Sequence, residues 1–200
     1  FFKQLIESNL KEISDKNNLA KKIIFSEHHL SHAASAYFPS PFNHSAILTM
    51  DGVGEYTTTS MSVGNSNNLE ILKEIFFPHS LGMLYSAMTS YAGFRVNSGE
   101  YKLMGLAPYG RPKYASLIKD NLVDIKTDGS FRLNMDYFNF HIGRTMTNIK
   151  FNELFQGPPR KPESDLSQKE MDIASSIQKV SEEIILKLAK NIKNETNAKN

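Results

Sequence analysis

The sequence predicts a mixed α/β (α+β) fold, a mixed sheet flanked by helices, from three observations. Short apolar, β-branched runs alternate with stretches of helical period. A polar turn, Asn65-Ser66-Asn67-Asn68, separates two runs of alternating pattern, as a β-hairpin requires. The segment from Ser167 to Lys193 repeats Ile173, Ile177, Val180, Ile184 and Leu188 at spacings of three and four. With 200 residues, 40% of them hydrophobic and 22% charged, the chain can bury a sizeable core as one globular domain or as part of a larger one.

The elements follow in order. Phe2, Leu5, Ile6, Leu10 and Ile13 mark an amphipathic helix within residues 1–20. Lys21 to Phe25 is short and β-branched and reads as a strand, feeding an Ala-rich and His-rich helix from His28 to Tyr37 that Pro39 and Pro41 stop. Ser45 to Met50 is a second apolar strand that runs into Asp51-Gly52-Val53-Gly54-Glu55. Tyr56 to Val63 and Leu69 to Phe77 are the two arms of the hairpin. Leu81, Leu84, Met88 and Tyr91 mark a helix between Ser80 and Ala92. Residues 95–112 are rich in Gly and Pro and read as loop around a short helix. Phe131-Arg132-Leu133 suggests a short strand beyond the turn Thr127-Asp128-Gly129. Ser167 and Glu170 have the spacing of a capping box opening the last helix.

Composition excludes several classes. The 23 Lys+Arg against 21 Asp+Glu leave a charge of +2, with no basic run interleaved with aromatics, so polymeric nucleic acid is not an expected partner. No Cys is present, which rules out disulfides and thiolate metal sites and fits a reducing, cytoplasmic setting. No apolar run approaches the ~20 residues that span a bilayer, so a soluble protein without a membrane partner is expected. Phe1-Phe2-Lys3-Gln4 looks like neither an initiator nor a signal peptide, so the expectation is a fragment of a longer protein.

Three strings carry chemistry. Glu27-His28-His29-Leu30-Ser31-His32 holds three of the six histidines. On a helix, His28 and His32 lie one turn apart on one face and can bind one metal ion, while His29 is expected to point elsewhere. Two His and one carboxylate with open positions suit Fe(II), and Zn(II) or Mn(II) accept the same set. The plainer reading is surface or capping histidines. Asp51-Gly52-Val53-Gly54-Glu55 closes a buried strand, where glycines let backbone N–H groups approach an anion and an Asp can hold a metal or orient water near phosphate. This is the arrangement of the phosphate hairpin in actin-like ATPase folds; the plainer reading is a tight turn. Asn97-Ser98-Gly99-Glu100-Tyr101-Lys102 gathers donors, an acid and a base in a glycine loop, or is a solvated turn.

Four strings together, Glu27 to Tyr37, Asp51 to Glu55, Ser80 to Ser86 and Val96 to Gly110, closely resemble the NodU/CmcH-type O-carbamoyltransferases in order and spacing, and the similarity runs from about residue 20 to about residue 190. The resemblance implies the large N-terminal domain of that family, itself similar to the proteins of threonylcarbamoyladenosine synthesis, with an actin-like core of ribonuclease-H-type lobes incomplete in this chain. Residues 1–160 would form the central part of the carbamoyl-transfer domain, with the metal-site helix and phosphate hairpin; residues 161–200 would be a helix leading into a missing second lobe.

The implied activity is transfer of a carbamoyl group to a hydroxyl of a sugar or natural-product acceptor. The donor would be carbamoyl-adenylate, made from carbamoyl phosphate and ATP by a separate domain of the same polypeptide. Carried over by resemblance, His28 and His32 are metal ligands for Fe(II) or another divalent ion. Asp51 is catalytic, with Gly52, Val53, Gly54 and Glu55 facing the adenylate. Glu100 and Lys102 belong to a substrate-side catalytic loop whose Asn97, Ser98 and Gly99 contribute to binding, and Asp136 is a further candidate. The third carboxylate ligand, the opening strands, a nucleotide loop and the adenylate-forming domain are expected outside residues 1–200, so the fragment is expected to be inactive alone. Rival readings are a relative that acts on tRNA, an actin-fold sugar kinase or ATPase using Asp51 without metal-binding histidines, and a non-enzymatic binding module.

Overall fold

The computed structural model describes residues 2–13 and 23–200. Among them the chain is α+β, with seven α-helices and two small antiparallel sheets. Helix α1 (Phe2–Ile13) is followed by α2 (His28–Tyr37), β1 (His44–Met50), β2 (Thr57–Asn65), β3 (Asn68–Phe76), α3 (Leu81–Tyr91) and α4 (Glu100–Leu106). After these come α5 (Ala115–Asn121), β4 (Val123–Ile125), β5 (Phe131–Leu133), α6 (Ile149–Leu154) and α7 (Gln168–Thr196).

The main sheet is a β1-β2-β3 meander, with Ile47 opposite Ser62, Leu48 opposite Met61 and Thr49 opposite Ser60. Side chains alternate across a strand, and partners directly opposite share a face. One face therefore carries Ser45, Ile47, Thr49, Ser60, Ser62 and Gly64. Helix α2 lies on it, with Ala33 and Tyr37 packed against Ile47 in a small separate cluster. These small side chains let the helix come close: a Cβ on Gly64 would stand 2.4 Å from the Tyr37 ring. The other face carries Ala46, Leu48, Met50 and Met61 into the main core, built by α3 and α7.

Helix α7 supplies the spine of that core. Its stripe Ile173, Ile177, Val180, Ile184 and Leu188 is fully buried, and the capping box at its start is formed, Ser167 Oγ accepting from Lys169 N while Ser167 N–H donates to Glu170 Oε2 at 2.9 Å. The buried Asp172 carboxylate on α7 accepts from Arg111 N–H at 2.8 Å and Gln168 Nε2 at 2.9 Å and pairs with Lys113 at 2.6 Å. Ser176 Oγ, one turn on, accepts from Tyr114 N–H. The loop after α4 is thereby tied down along one side of the last helix. The last helix shares one core with the elements before it.

Two expectations are corrected. Residues 23–27 form no strand, and Lys21 and Lys22 lie outside the described residues; no described strand pairs with them, and Ile24 and Phe25 are 91% and 56% exposed. An extended segment without a ladder partner keeps its N–H and C=O groups in solvent rather than in a sheet. For the same reason the sheet expected to be mixed is antiparallel throughout among the described residues. Helices α5 and α6, of seven and six residues, lie where the sequence pattern assigned no helix; at such lengths packing rather than periodicity decides.

Asp172 yields a pH prediction. Burial alone would raise its carboxyl, but the hydrogen bonds from Lys113, Arg111 and Gln168 outweigh that and bring it from 3.8 down to about 2. A folded value below the unfolded one contributes stability that is complete above pH 3.8 and lost as pH falls toward about 2. Urea midpoints measured across that window should fall more steeply for the unaltered protein than for Asp172→Asn, with equal slopes counting against the assignment.

Candidate metal and small-molecule site

The pleat of β1 decides where the site lies. Asp51 continues the parity of Ile47 and Thr49, and its N–H donates to Thr58 O at 3.1 Å, extending the ladder by one step. Its carboxylate therefore turns to the α2 face, where the first turn of α2 carries the histidines. On α2 the stripe His29, Ala33 and Tyr37 is buried on the sheet, and His28 and His32 lie on the adjoining, more exposed shoulder.

The side chains converge on one point. His28 Nε2 lies 2.8 Å from Asp51 Oδ2 and 3.1 Å from His32 Nε2, and one donor atom from each of His28, His32 and Asp51 falls within 4.8 Å of the others. Bonds of ~2.1 Å at right angles around a first-row ion place neighbouring ligand atoms ~3 Å apart. Two imidazole Nε2 atoms and a carboxylate oxygen so close compete for a single proton, whereas one cation satisfies all three, so the donor set fits a divalent metal. The expected third carboxylate ligand outside the chain is not needed to complete a three-donor cluster, because Asp51 supplies one.

His29 does not point elsewhere. Its Nδ1 lies 3.0 Å from the buried Ser60 Oγ, and its Nε2 faces Asp51 Oδ1 at 3.4 Å, without hydrogen-bond alignment. An i, i+1 step on a helix turns a side chain by about 100°, and the carboxylate lies between the two directions. The signal that could have located His29 is the parity of Ser60, which puts a hydroxyl under the buried stripe of α2.

The glycine loop is shaped by close approach. A Cβ on Gly54 would stand 1.9 Å from the His28 ring, and one on Gly82 2.5 Å from Asp51 O. Gly52 has open space beside it, the nearest atom being Met83 Sδ at 3.9 Å. Ser80 fixes the loop from behind: its buried Oγ caps α3 by accepting from Met83 N–H at 3.0 Å and donates to Gly52 O at 2.6 Å. Val53 and Glu55 are exposed, and Glu55 Oε2 accepts from His28 N–H at 3.4 Å.

A cavity of about 660 Å³ opens beside Asp51 and Gly52, with Tyr85, Asn97, Glu100 and Tyr101 on its walls, within the ~300–1,000 Å³ usual for small-molecule sites. The fold thus unites the Asp51 loop with part of the 97–102 loop. Glu100 Oε1 accepts from Ser86 Oγ at 2.7 Å and Asn97 N–H at 3.0 Å, and Oε2 accepts from Gly99 N–H at 3.2 Å. Burial pushes its carboxyl up, and these hydrogen bonds more than compensate, leaving it below the ordinary value. The carboxylate holds the loop in which Asn97 adopts a left-handed φ of 67°. Burial, then the charges of Glu100 and Glu182, push the Tyr85 phenol to about 12, so it stays protonated and donates to Gln178 Oε1 at 3.0 Å. Ser98 and Lys102 are exposed and Gly99 is buried, and none of the three lines the cavity. Asp136 is far along the chain on an exposed turn, paired with Lys150 at 3.0 Å.

The α+β fold thus brings a His-His-Asp cluster to a strand end, next to a cavity of the size usual for small-molecule sites. The profile of the family described as carbamoyltransferase N-terminus matches residues 1–200, and the chain belongs to that family. It is 57% identical to the uncharacterised protein sll1178 of Synechocystis sp. over 201 residues, all of this chain and 33% of that protein. It is 33% identical to the nodulation protein NolNO of Sinorhizobium fredii over 164 residues, 82% of this chain and 22% of that protein. It is 30% identical to the nodulation protein NolO of Bradyrhizobium diazoefficiens over 159 residues, 79% of this chain and 27% of that protein. The chain spans a third or less of the length of these relatives. No described helix is long and apolar enough to cross a membrane.

Replacing Ser80 by Ala orphans the Met83 N–H and releases the Gly52 carbonyl. Chemical denaturation should show a loss of roughly 1–2 kcal/mol; an unchanged midpoint would mean that the loop is held by other contacts.

Proposed function

We propose that this chain is the metal- and nucleotide-binding part of an ATP-dependent O-carbamoyltransferase, built on an actin-like core, that passes a carbamoyl group from carbamoyl-adenylate to a hydroxyl of a sugar or natural-product acceptor. The His28-His32-Asp51 cluster beside the 660 Å³ cavity carries the reading, and membership in the carbamoyltransferase N-terminal family supplies the group transferred. The adenylate, made from carbamoyl phosphate and ATP by a further domain of the full protein, would lie against Gly52 and Asn97. No Lys or Arg lines this cavity among the described residues, so its phosphate must be met by backbone N–H groups and by charge at the cluster.

The residues present divide the work. His28, His32 and Asp51 would hold Fe(II) or another divalent ion, which when bound supplies Lewis acidity toward phosphate and carbonyl oxygens. His29, held by Ser60, packs beside the Asp51 carboxylate. Glu100 keeps the 97–99 loop in place against the donor, Ser98 and Lys102 stand exposed on that loop, and Tyr85 presents a neutral wall. In the transfer the acceptor oxygen bonds to the carbamoyl carbon as its hydroxyl proton passes to solvent, the mixed-anhydride bond breaks, and AMP leaves with the electron pair.

In the full-length protein, joint replacement of His28 and His32 by Ala should lower carbamoyl transfer to hydroxylated acceptors ~1,000-fold or more, the equivalent of several kcal/mol. Bound metal should fall with it, while carbamoyl-phosphate-dependent exchange of pyrophosphate into ATP persists. Transfer at the unaltered rate, or full metal content in the double variant, would defeat the assignment.

A further inference from the structure

A second cavity, of about 680 Å³, lies between the β2-β3 hairpin and the β4-β5 hairpin. Tyr56 and Phe76 stand at its mouth, 63% and 41% exposed, with ring centroids 5.1 Å apart and planes 24° from parallel. An aromatic pair left open to water is a platform: its π faces carry partial negative charge and attract the C–H face of a ring that also offers hydroxyls. The rest of the lining supplies hydrogen-bonding groups in balanced charge. Lys126 is paired with Asp124 at 2.6 Å, and Arg132 is matched in number by Glu74, whose Oε1 accepts from Thr57 Oγ1 at 2.6 Å. Burial, and secondarily Arg132, lowers the His79 imidazole below its ordinary value, so this ring adds no positive charge at neutral pH. Charge neutrality disfavours a phosphate or other anion as occupant, and a lining that holds both donors and acceptors suits a polyhydroxylated one.

The place of the cavity is as informative as its chemistry. A cleft of about 220 Å³, lined by His28, His29, Glu55 and Thr57, opens onto the cluster from the α2 side. Tyr56 and Glu74 belong to the walls of both the cleft and the 680 Å³ cavity. The cavity assigned to the carbamoyl donor lies on the far side of Asp51, among Tyr85, Asn97 and Tyr101.

We propose that the Tyr56-Phe76 platform is a sugar-binding subsite that docks a neutral hydroxylated ring and directs one of its hydroxyls through the cleft past Glu55 and Thr57 to the cluster. The naming of this sugar as the acceptor rests on the carbamoyl-transfer reading; the presence of a sugar subsite does not. The subsite fixes the specificity of the reaction for its acceptor through residues that belong neither to the cluster nor to the donor cavity.

The full-length protein is titrated with methyl glycosides of glucose, galactose, mannose and N-acetylglucosamine, observed by saturation-transfer NMR, with inorganic phosphate as competitor. At least one glycoside should show transfer to its ring protons. The signal should fall roughly fivefold, the loss of one aromatic contact, in Tyr56→Leu and in Phe76→Leu, which keep apolar bulk and so the fold. It should persist in Phe76→Tyr and be unmoved by phosphate. No transfer with any glycoside, undiminished signal in both Leu variants, or displacement by phosphate would overturn the proposal. Carbamoyl-phosphate-dependent release of AMP by the unaltered protein is followed separately: its absence removes the carbamoyl-transfer reading and leaves the subsite to be judged on the NMR alone.

Discussion

Asp51 is the joint on which the structure turns, because its N–H, its carbonyl and one carboxylate oxygen are each tied to a different element. Its N–H belongs to the β1-β2 ladder through Thr58 O, and its carbonyl lies 3.2 Å from the Ser80 hydroxyl that caps α3. Its carboxylate oxygens face His28 and His29 at the start of α2. A half-buried carboxylate is costly unless partnered, so strand, sheet face and two helices are jointly constrained by one residue. Moving β1 by one residue would send the carboxylate to the opposite face, into the apolar core under α3, where nothing could satisfy it. Register, helix placement and metal-binding capacity are thus one choice rather than three.

Close approach explains the glycines better than anion binding does. Gly54 is required by the His28 ring and Gly82 by the backbone of Asp51, so both serve the packing of helices onto the loop. Gly52 differs, for its neighbourhood is open toward the donor cavity and a side chain there would meet only Met83 at ordinary contact distance. Of the loop glycines read as letting backbone N–H groups approach an anion, Gly52 is the one whose surroundings leave that room. The 97–102 loop shows the same division: Glu100 spends both carboxylate oxygens on internal donors, leaving Asn97 and Tyr101 to form the surface that a ligand would meet.

How much of this was legible in the sequence depends on the length scale of each signal. The last helix, its capping box, α2, α3 and the hairpin at Ser66-Asn67 all stand where period and turn chemistry placed them, because each repeats its signal over several residues. The His28-His32-Asp51 cluster was half legible: the i, i+4 pair is a local pattern, while the position of Asp51 over it follows from strand parity once α2 is known to lie on that face. His29 was misread because a helix considered alone sends adjacent residues apart, and only the carboxylate between them reunites the two rings. The short helices α5 and α6 and the unpaired run at Ile24-Phe25 were illegible for one reason, that their state is decided by neighbours distant in sequence.

The electrostatics of the clefts separate the two substrates on the proposed reading. The donor cavity carries two carboxylates, Asp51 and Glu100, and no Lys or Arg among the described residues, which repels a phosphate unless positive charge is supplied locally. The hydrogen bonds that keep Glu100 ionised deepen this deficit rather than relieve it. The cluster, where two imidazoles meet Asp51, adjoins this cavity through Asp51 itself. A dication there would change the local balance by two units and convert a repulsive pocket into an attractive one. Donor binding on this arrangement depends on prior occupation of the cluster, while the balanced, aromatic cavity beyond Tyr56 and Glu74 needs no such ion to receive a neutral sugar.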